Sequence, residues 1–198
     1  MNNKLKINLI SIIIIILMFL IGRIASRSPI QERVIYISIS GFMAMLSMLF
    51  VVSIPIIYML KRSNFTAILA TNRRWIGIYT FIFALIHVFL VSRFIFNWNM
   101  SEIFKSAYLI LGGIAFAILL LMAITSNNKS MRLLKKNWKR LHYLIYVALI
   151  LVVVHSSNRG LVFMKNMVAK VLIVSLALVI IIWKIRDKFR KNGKKSSV

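Results

Sequence analysis

Residues 75–96 read WIGIYTFIFALIHVFLVSRFIF, an apolar run whose ionisable side chains, tyrosine aside, are His87 near the middle and Arg93 near the end. The run matches the roughly 20 residues that an α-helix needs to cross the hydrocarbon core of a bilayer. Because that core offers no water to backbone amides, the segment is expected to span the membrane as a helix. A histidine in the middle of such a helix is costly to bury in lipid, so His87 is a candidate functional residue.

Five further apolar stretches accompany this one, so the sequence predicts an all-α integral membrane protein, a bundle of six transmembrane helices. The predicted spans are Ile7–Ile24, Ile35–Leu60, Trp75–Phe96, Ala107–Ile124, Leu141–Ser157 and Met167–Ile185. Of the 198 residues, 61% are hydrophobic and the mean hydropathy is +0.88, which is more apolar surface than one soluble core can bury. We find no internal repeat, and residues 1–198 are expected to form one domain.

The basic residues predict the orientation of the bundle. The chain has 27 Lys and Arg against three acidic residues, a net charge of +24. Counted on alternate sides of the six spans, 19 lie on the side of both termini and 8 on the other, which predicts cytoplasmic termini. The polybasic tail, residues 184–198, is then expected to lie on anionic lipid at the cytoplasmic surface. Because the charges flank apolar spans, they argue against a nucleic-acid partner.

Two kinds of chemistry are excluded or disfavoured by composition. Cysteine is absent, which excludes disulfides, thiolate-ligated heme, iron–sulfur clusters and catalytic thiols from this chain. The acidic residues Glu32, Glu102 and Asp187 are predicted to lie outside the apolar spans, so the intramembrane carboxylates of proton-coupled transporters are not expected. No complete catalytic site is predicted, and substrate chemistry is expected to belong to another chain.

His87 and His155 are predicted to reach one depth in the membrane. They lie about 12 and 14 residues into two spans that enter from the same side, or ~18 and ~21 Å along them. One intramembrane histidine usually serves as a hydrogen-bond partner between helices, whereas two at one depth can bind an iron from opposite faces of a porphyrin. With no third ligand the pair is a poor zinc site. We therefore expect a heme cofactor between the third and fifth spans, with six-coordinate iron suited to electron transfer.

Small residues are predicted to leave room beside these histidines. Gly77, Thr80 and Ala84 share an ~80° face of the third span with His87 and would form a shallow channel. Residues 112–117 of the fourth span contain two glycines and two alanines, so that a neighbouring helix or a flat cofactor can approach the backbone. Ordinary helix packing explains the second stretch equally well.

His142 lies 13 residues before His155 and about 140° around an ideal helix from it. A second stacked heme would therefore need a bulge or a distorted helix end, and the facing positions of the third span hold Arg73 and Arg74. The alternatives are five-coordinate iron, a flavin or quinone site, or an interfacial histidine without a ligand. The two arginines suit flavin phosphate or heme propionates, and they equally suit a role as topology anchors.

Several motifs carry a resemblance to a known family. Residues 72–77 (NRRWIG) and 84–87 (ALIH) resemble the third-helix signature of ferric-reductase-like transmembrane domains. Residues 123–128 (AITSNN) and 138–146 (WKRLHYLIY), closing at His155, are similar to the heme-binding membrane subunit of bacterial methionine sulfoxide reductase systems. The resemblance implies a six-helix fold in a bacterial cell membrane.

The same resemblance implies heme b on His87 and His155, a part for His142 in heme binding, and FMN or a quinone as an intermediate carrier. It implies a cytoplasmic flavin reductase or membrane quinol as donor and an extracytoplasmic reductase as acceptor, such as one that acts on oxidised methionine. Two other functions stay open. One is a stand-alone transmembrane reductase of ferric or other metal ions. The other is a non-redox structural or transport membrane protein whose histidines only pack helices.

Overall fold

The computed structural model describes residues 3–160 and 162–193, with side chains described to residue 190. These residues form α-helices joined by turns and by two 3-10 helices, Met100–Lys105 and Phe163–Lys165. The helices are α1 (Asn3–Ala25), α2 (Pro29–Leu60), α3 (Asn64–Phe94), α4 (Ala107–Ile124), α5 (Asn128–Leu134), α6 (Lys136–His142), α7 (Leu144–Arg159) and α8 (Met167–Gly193). Six segments of this part of the chain are long and apolar enough to cross a membrane: α1, α2, α3, α4, α8 and α6 with α7 together. The prediction of an all-α, six-span membrane protein is confirmed.

Polar caps decide where the second and third spans begin. The Ser28 side chain accepts a hydrogen bond from the backbone of Gln31, and Pro29 stands in the first helical turn. Ser63 forms a reciprocal capping box with Thr66. The predicted starts at Ile35 and Trp75 were therefore too late, because these caps lie outside the apolar runs that hydropathy detects.

Four of the helices form a ring around the centre of the bundle. α2 packs against α3, α3 against α4, α4 against α7, and α7 against α2. Within the described residues, α3 and α7 have no comparable packing with each other, so they stand diagonally across the ring. α1 covers α2 and α3 from outside, and α8 covers α7 and α2. The two predicted ligand helices thus face each other across the interior, where a bundle can hold a cofactor.

Apolar side chains fill the ring and also cover its outside. Met45, Met48 and Leu49 of α2 are fully buried, together with Ala148 and Leu149 of α7. The outer surface carries large exposed aliphatic and aromatic side chains along every span. Such an exterior suits lipid, since a water-soluble monomer rarely exposes contiguous apolar patches of more than a few hundred Å².

The fifth span is interrupted at its entry. α6 ends at His142 and α7 begins at Leu144, while the Tyr143 amide donates to the carbonyls of Lys139 and Arg140 at 3.1 and 3.2 Å. The span starts at Lys136, five residues before the predicted Leu141. From the sequence, a distorted helix end is one condition for a second heme beside His142, and the break at Tyr143 is a distortion of this kind.

Two of the three acidic residues lie inside α-helices, near their ends. Glu32 is in the first turn of α2, where it pairs with Arg23 at 2.7 Å. Asp187 is buried in the last turns of α8 and lies 3.3 Å from Arg190. As predicted, both residues lie outside the apolar runs of the sequence. The helices α2 and α8 are longer than those runs, however, and include Glu32 and Asp187.

Contacts between helix ends agree with alternate crossing of the membrane. The Lys4 ammonium lies 3.8 Å from the centre of the Trp75 ring, which places the start of α1 beside the N-terminal half of α3. At the opposite ends, Arg159 donates to the Ser106 hydroxyl at 2.7 Å. Which side is cytoplasmic stays a prediction from the distribution of charge.

Single-cysteine variants test the orientation directly, because the native chain contains no cysteine. Ser101→Cys and Asn137→Cys introduce exposed thiols on opposite sides of the bundle. In intact cells, a membrane-impermeant maleimide is expected to label Ser101→Cys and not Asn137→Cys. Both should be labelled after the cells are broken, and the reverse pattern in intact cells would place both termini outside.

Lys135, which joins α5 to α6, has φ 46° and ψ −116°, a backbone region that favours glycine. Lys135→Gly is expected to raise the free energy of unfolding by about 1 kcal/mol, because relief of strain exceeds the added entropy of the unfolded chain. Thermal unfolding in detergent, followed by circular dichroism, measures the change. Lys136→Gly, in the first turn of α6, is the control and should destabilise; equal effects of the two variants would contradict the prediction.

Candidate cofactor site

His87 packs against the backbone of α2. Its Nδ1 lies 3.0 Å from the carbonyl oxygen of Ile37, and because a carbonyl can only accept, Nδ1 carries the proton of this bond. The ring lies over Gly41, one helical turn after Ile37, where a Cβ would lie 2.8 Å from Nδ1. Glycine at this position therefore makes room for the imidazole.

His155 packs against α4 in the same way. Its Nδ1 donates to the carbonyl oxygen of Tyr108 at 2.7 Å. Its ring lies over Gly112, four residues after Tyr108, where a Cβ would lie 2.7 Å from Nδ1. The small-residue stretch of the fourth span thus admits a side chain of the neighbouring helix.

Both histidines are arranged to offer a ligand nitrogen. A proton on Nδ1 leaves the lone pair of the neutral ring on Nε2, and this second-shell bond is typical of metal-binding histidines. Across the described residues, no hydrogen bond involves Nε2 of His87 or His155. Two such nitrogens on diagonal helices are the groups that would hold a heme iron in this bundle.

A bare metal ion fits this site less well than a porphyrin. In the described part of the chain, no group of three or more His, Asp or Glu side chains is placed to hold a metal ion. A porphyrin supplies four nitrogens of its own, so two imidazoles complete the six-coordinate iron of an electron carrier. The donor set therefore fits heme b better than zinc.

A cavity of about 500 Å³ opens near the predicted cytoplasmic side of the bundle. Its size is ordinary for a cofactor or ligand pocket. Gly77 and Thr80 of the predicted channel line it, whereas Ala84 and His87 do not, and nothing lies within 4 Å of a Cβ built on Gly77. The polar and aromatic lining consists of Thr71, Arg73, Arg74, Trp75, Ser126, Trp138, Lys139, His142, Tyr143, Tyr146 and Lys184.

His142 lines this cavity and does not join the other two histidines. Its ring stacks on Trp138 with 3.9 Å between centroids, and its Nε2 lies 3.4 Å from the Thr125 hydroxyl. Trp138 is fixed in turn, because its indole N–H donates to the Thr125 carbonyl at 2.9 Å. His87 and His155 therefore share one kind of contact, with the backbone of a neighbouring helix, whereas His142 lies among aromatic and basic groups.

Arg73 and Arg74, which the sequence treated as equivalent, have different partners. Arg73 turns into the bundle, where its Nε donates to the buried Val51 carbonyl at 2.9 Å. Arg74 donates to the Asn128 side chain at 2.7 Å and to the Met131 sulfur at 3.3 Å, which ties α3 to α5. Neither is matched by an acidic partner in these contacts, so both cations stay available to an anionic group in the cavity.

Sequence reasoning missed several residues of the site. Lys184 lies 5.0 Å from the Tyr143 ring and 5.7 Å from the Tyr146 ring, so α8 adds a cation to the cavity. Gly41 was not singled out, although a glycine inside an apolar span is a visible signal. The acceptor carbonyls carry no signal in the sequence, because every residue has one.

Comparison with known proteins places the chain in a family. The model of the ferric reductase like transmembrane component matches residues 37–153, more than half of the chain. The chain belongs to this family. The match begins at Ile37, includes His87 and His142, and ends two residues before His155.

Individual relatives carry a more specific name. Proteins of Xanthomonas campestris pv. campestris strain B100 and Xanthomonas oryzae pv. oryzae strain MAFF 311018 are 39% and 37% identical over 100 residues. Both are called protein-methionine-sulfoxide reductase heme-binding subunit MsrQ. The aligned part is 48% of this chain and 46% of each relative, so the chain spans about half the length of the curated relatives it matches. No solved structure matches the chain.

The different partners of the two arginines predict different effects on α5. Arg74→Gln is expected to raise amide hydrogen exchange over residues 128–134 roughly five-fold, the effect of losing a bond of about 1 kcal/mol. Arg73→Gln, which removes no contact to α5, is the matched control and should leave this exchange unchanged. Hydrogen–deuterium exchange mass spectrometry measures both, and equal exchange in the two variants would contradict the assignment.

Proposed function

We propose that this chain is a heme b subunit that carries electrons across a bacterial membrane. The observation that supports it is the arrangement of His87 and His155. Each imidazole is held by a hydrogen bond from its Nδ1 to the backbone of an adjacent helix, which leaves its Nε2 free of hydrogen bonds among the described residues. The two histidines stand on helices that lie diagonally across the bundle. Membership of the ferric reductase like family and the heme-binding name of the relatives support the same function.

In this proposal His87 and His155 hold the heme through their Nε2 atoms. When bound, the heme supplies a one-electron redox centre. The Ile37 and Tyr108 carbonyls keep the Nδ1 protons in place, which fixes the tautomers and raises the basicity of the ligand nitrogens. Buried apolar residues on α3 near His87, such as Ala84 and Leu90, exclude water from the proposed heme site.

The cavity is the proposed entry point for electrons. Arg73, Arg74 and Lys184 supply positive charge for a phosphate or carboxylate, and Trp138 and Tyr146 supply flat apolar surface. These groups suit FMN, a quinone or the edge of a second porphyrin, and His142 is the residue placed to contact its ring or iron. The donor is then a cytoplasmic flavin reductase or a membrane quinol.

The proposed acceptor is a reductase on the opposite, extracytoplasmic side. The relatives are named as subunits of a protein-methionine-sulfoxide reductase, which favours a partner that reduces oxidised methionine. The chain has no cysteine for that chemistry, and its described residues hold no group of three or more His, Asp or Glu side chains placed to bind a metal ion. Substrate reduction is therefore assigned to the partner subunit.

A reduced-minus-oxidised spectrum with pyridine hemochrome quantitation of the purified protein tests the proposal. The native protein is expected to show b-type heme, and His87→Ala and His155→Ala should each lower its content about ten-fold or more, because each removes an axial ligand. Ser101→Ala, an exposed substitution outside the histidine pair and the cavity, is the control and should keep the native heme spectrum. A native protein without heme, expressed with adequate heme supply, would favour the non-redox function.

The family description also favours a second candidate, a stand-alone reductase of ferric or other metal ions. It differs from the first in needing no partner subunit. Reconstitution of the heme-loaded protein in liposomes, with reductant inside and ferric chelate outside, separates them. Reduction of the ferric chelate by the chain alone supports the second candidate. Reduction of oxidised methionine that appears only with an added sulfoxide reductase subunit supports the first.

A further inference from the structure

The contacts of His87 and His155 repeat one pattern in two helix pairs. In α2 with α3 and in α4 with α7, an imidazole lies over a glycine and donates to the carbonyl four residues before that glycine. The sequence shows no repeat that accompanies this pattern. The same local geometry in two unrelated stretches indicates that both helix pairs meet one physical requirement.

The requirement is access of a ring to a helix backbone. A helical carbonyl is already bonded to the amide four residues later, and a side chain at that later residue hinders approach to the second lone pair. Any Cβ at Gly41 would lie 2.8 and 2.9 Å from Nδ1 and Cε1 of His87. At Gly112 the corresponding distances to His155 are 2.7 and 2.8 Å. These separations are too short for nonbonded atoms, so the ring or the helix would have to move.

We propose that Gly41 and Gly112 are positioning residues that set the orientation of the axial histidines. Each glycine holds its imidazole against the neighbouring helix, so that Nδ1 stays bonded to the backbone and Nε2 points away from it. The inference rests on the proposed heme function and extends it to two helices that carry no ligand. All four helices of the ring then define the iron site, α3 and α7 through histidine and α2 and α4 through glycine.

The proposal predicts effects on the heme beyond loss of activity. A Cβ at either glycine displaces the ring and breaks the Nδ1–H bond, which weakens the ligand nitrogen. Loss of such an outer-shell bond typically lowers metal affinity about 10- to 100-fold. A weaker donor also stabilises ferric iron less, so any heme that remains should have a more positive midpoint potential and an altered low-spin ferric spectrum.

Gly113→Ala is the matched control for Gly41→Ala and Gly112→Ala in the heme-loaded protein. It adds the same methyl group to α4, beside Gly112, where the Cβ would make an ordinary contact of 3.7 Å with Ile103. Heme affinity, the low-spin electron paramagnetic resonance spectrum and the midpoint potential should change in the two glycine variants and stay native in Gly113→Ala. The proposal is overturned if all three variants match the native protein in all three measurements.

A double-mutant cycle in heme-free full-length protein separates ring displacement from a general folding defect. Gly112→Ala should lower the Tm when His155 is present, because the methyl group meets the ring. In a His155→Ala background the ring is gone, and Gly112→Ala should keep or raise the Tm, since alanine favours helix. An equal loss of Tm in both backgrounds would overturn the proposal.

The outcomes distinguish this inference from the function on which it rests. A native protein that binds no heme overturns both. A native protein that binds heme, together with glycine variants that bind it unchanged, overturns the role of the glycines and leaves the heme proposal standing. Loss of heme in Gly41→Ala and Gly112→Ala but not in Gly113→Ala, with the expected cycle, supports both.

Discussion

The bond from imidazole Nδ1 to a helical carbonyl is the interaction on which the arrangement of this bundle depends. Within a bilayer a polar ring cannot turn to water, so it must find a partner in protein. His87 and His155 find one in the backbone of the adjacent helix, at Ile37 and Tyr108. Because a backbone carbonyl accepts without changing its own helical bond, the contact satisfies the ring at little cost to either helix. It also leaves the second ring nitrogen for another task.

This bond fixes which helices must be close neighbours. α3 has to lie against α2 and α7 against α4, and close approach is what glycine in a membrane helix permits. Once the two pairs close into a ring, the histidine-bearing helices are separated by the interior of the bundle. Two local contacts therefore set the two histidines, which we propose as ligands, on helices that do not pack directly on each other.

Some of this follows from sequence and some does not. The six spans follow because long apolar runs have one stable form in a membrane. His87 and His155 stand out in the sequence as candidate ligands because polar residues in the spans are few, and their ligand role stays a proposal. The starts of α2 and α3 do not follow from hydropathy, because Ser28 and Ser63 act through cap geometry. Pairing of Gly41 with His87 depends on the register between helices, which no spacing along the chain encodes. The interruption at Tyr143 could not be predicted from glycine or proline, because neither residue occurs near it in the sequence.

The cavity and the histidine pair occur in the same order along both ligand helices. On α3 the lining residue Thr80 precedes His87 by seven positions, and on α7 Ile145 precedes His155 by ten, or ~10 and ~15 Å at 1.5 Å per residue. A carrier in the cavity would thus lie roughly two to three helical turns from a heme on the pair, both within a core ~30 Å thick. Since basic groups line the cavity and none of them is a hydrogen-bond partner of the histidine pair, the carrier proposed for the first position would be anionic. In the proposed function, the two positions together would give a path that runs from the charged end of the bundle into its apolar centre.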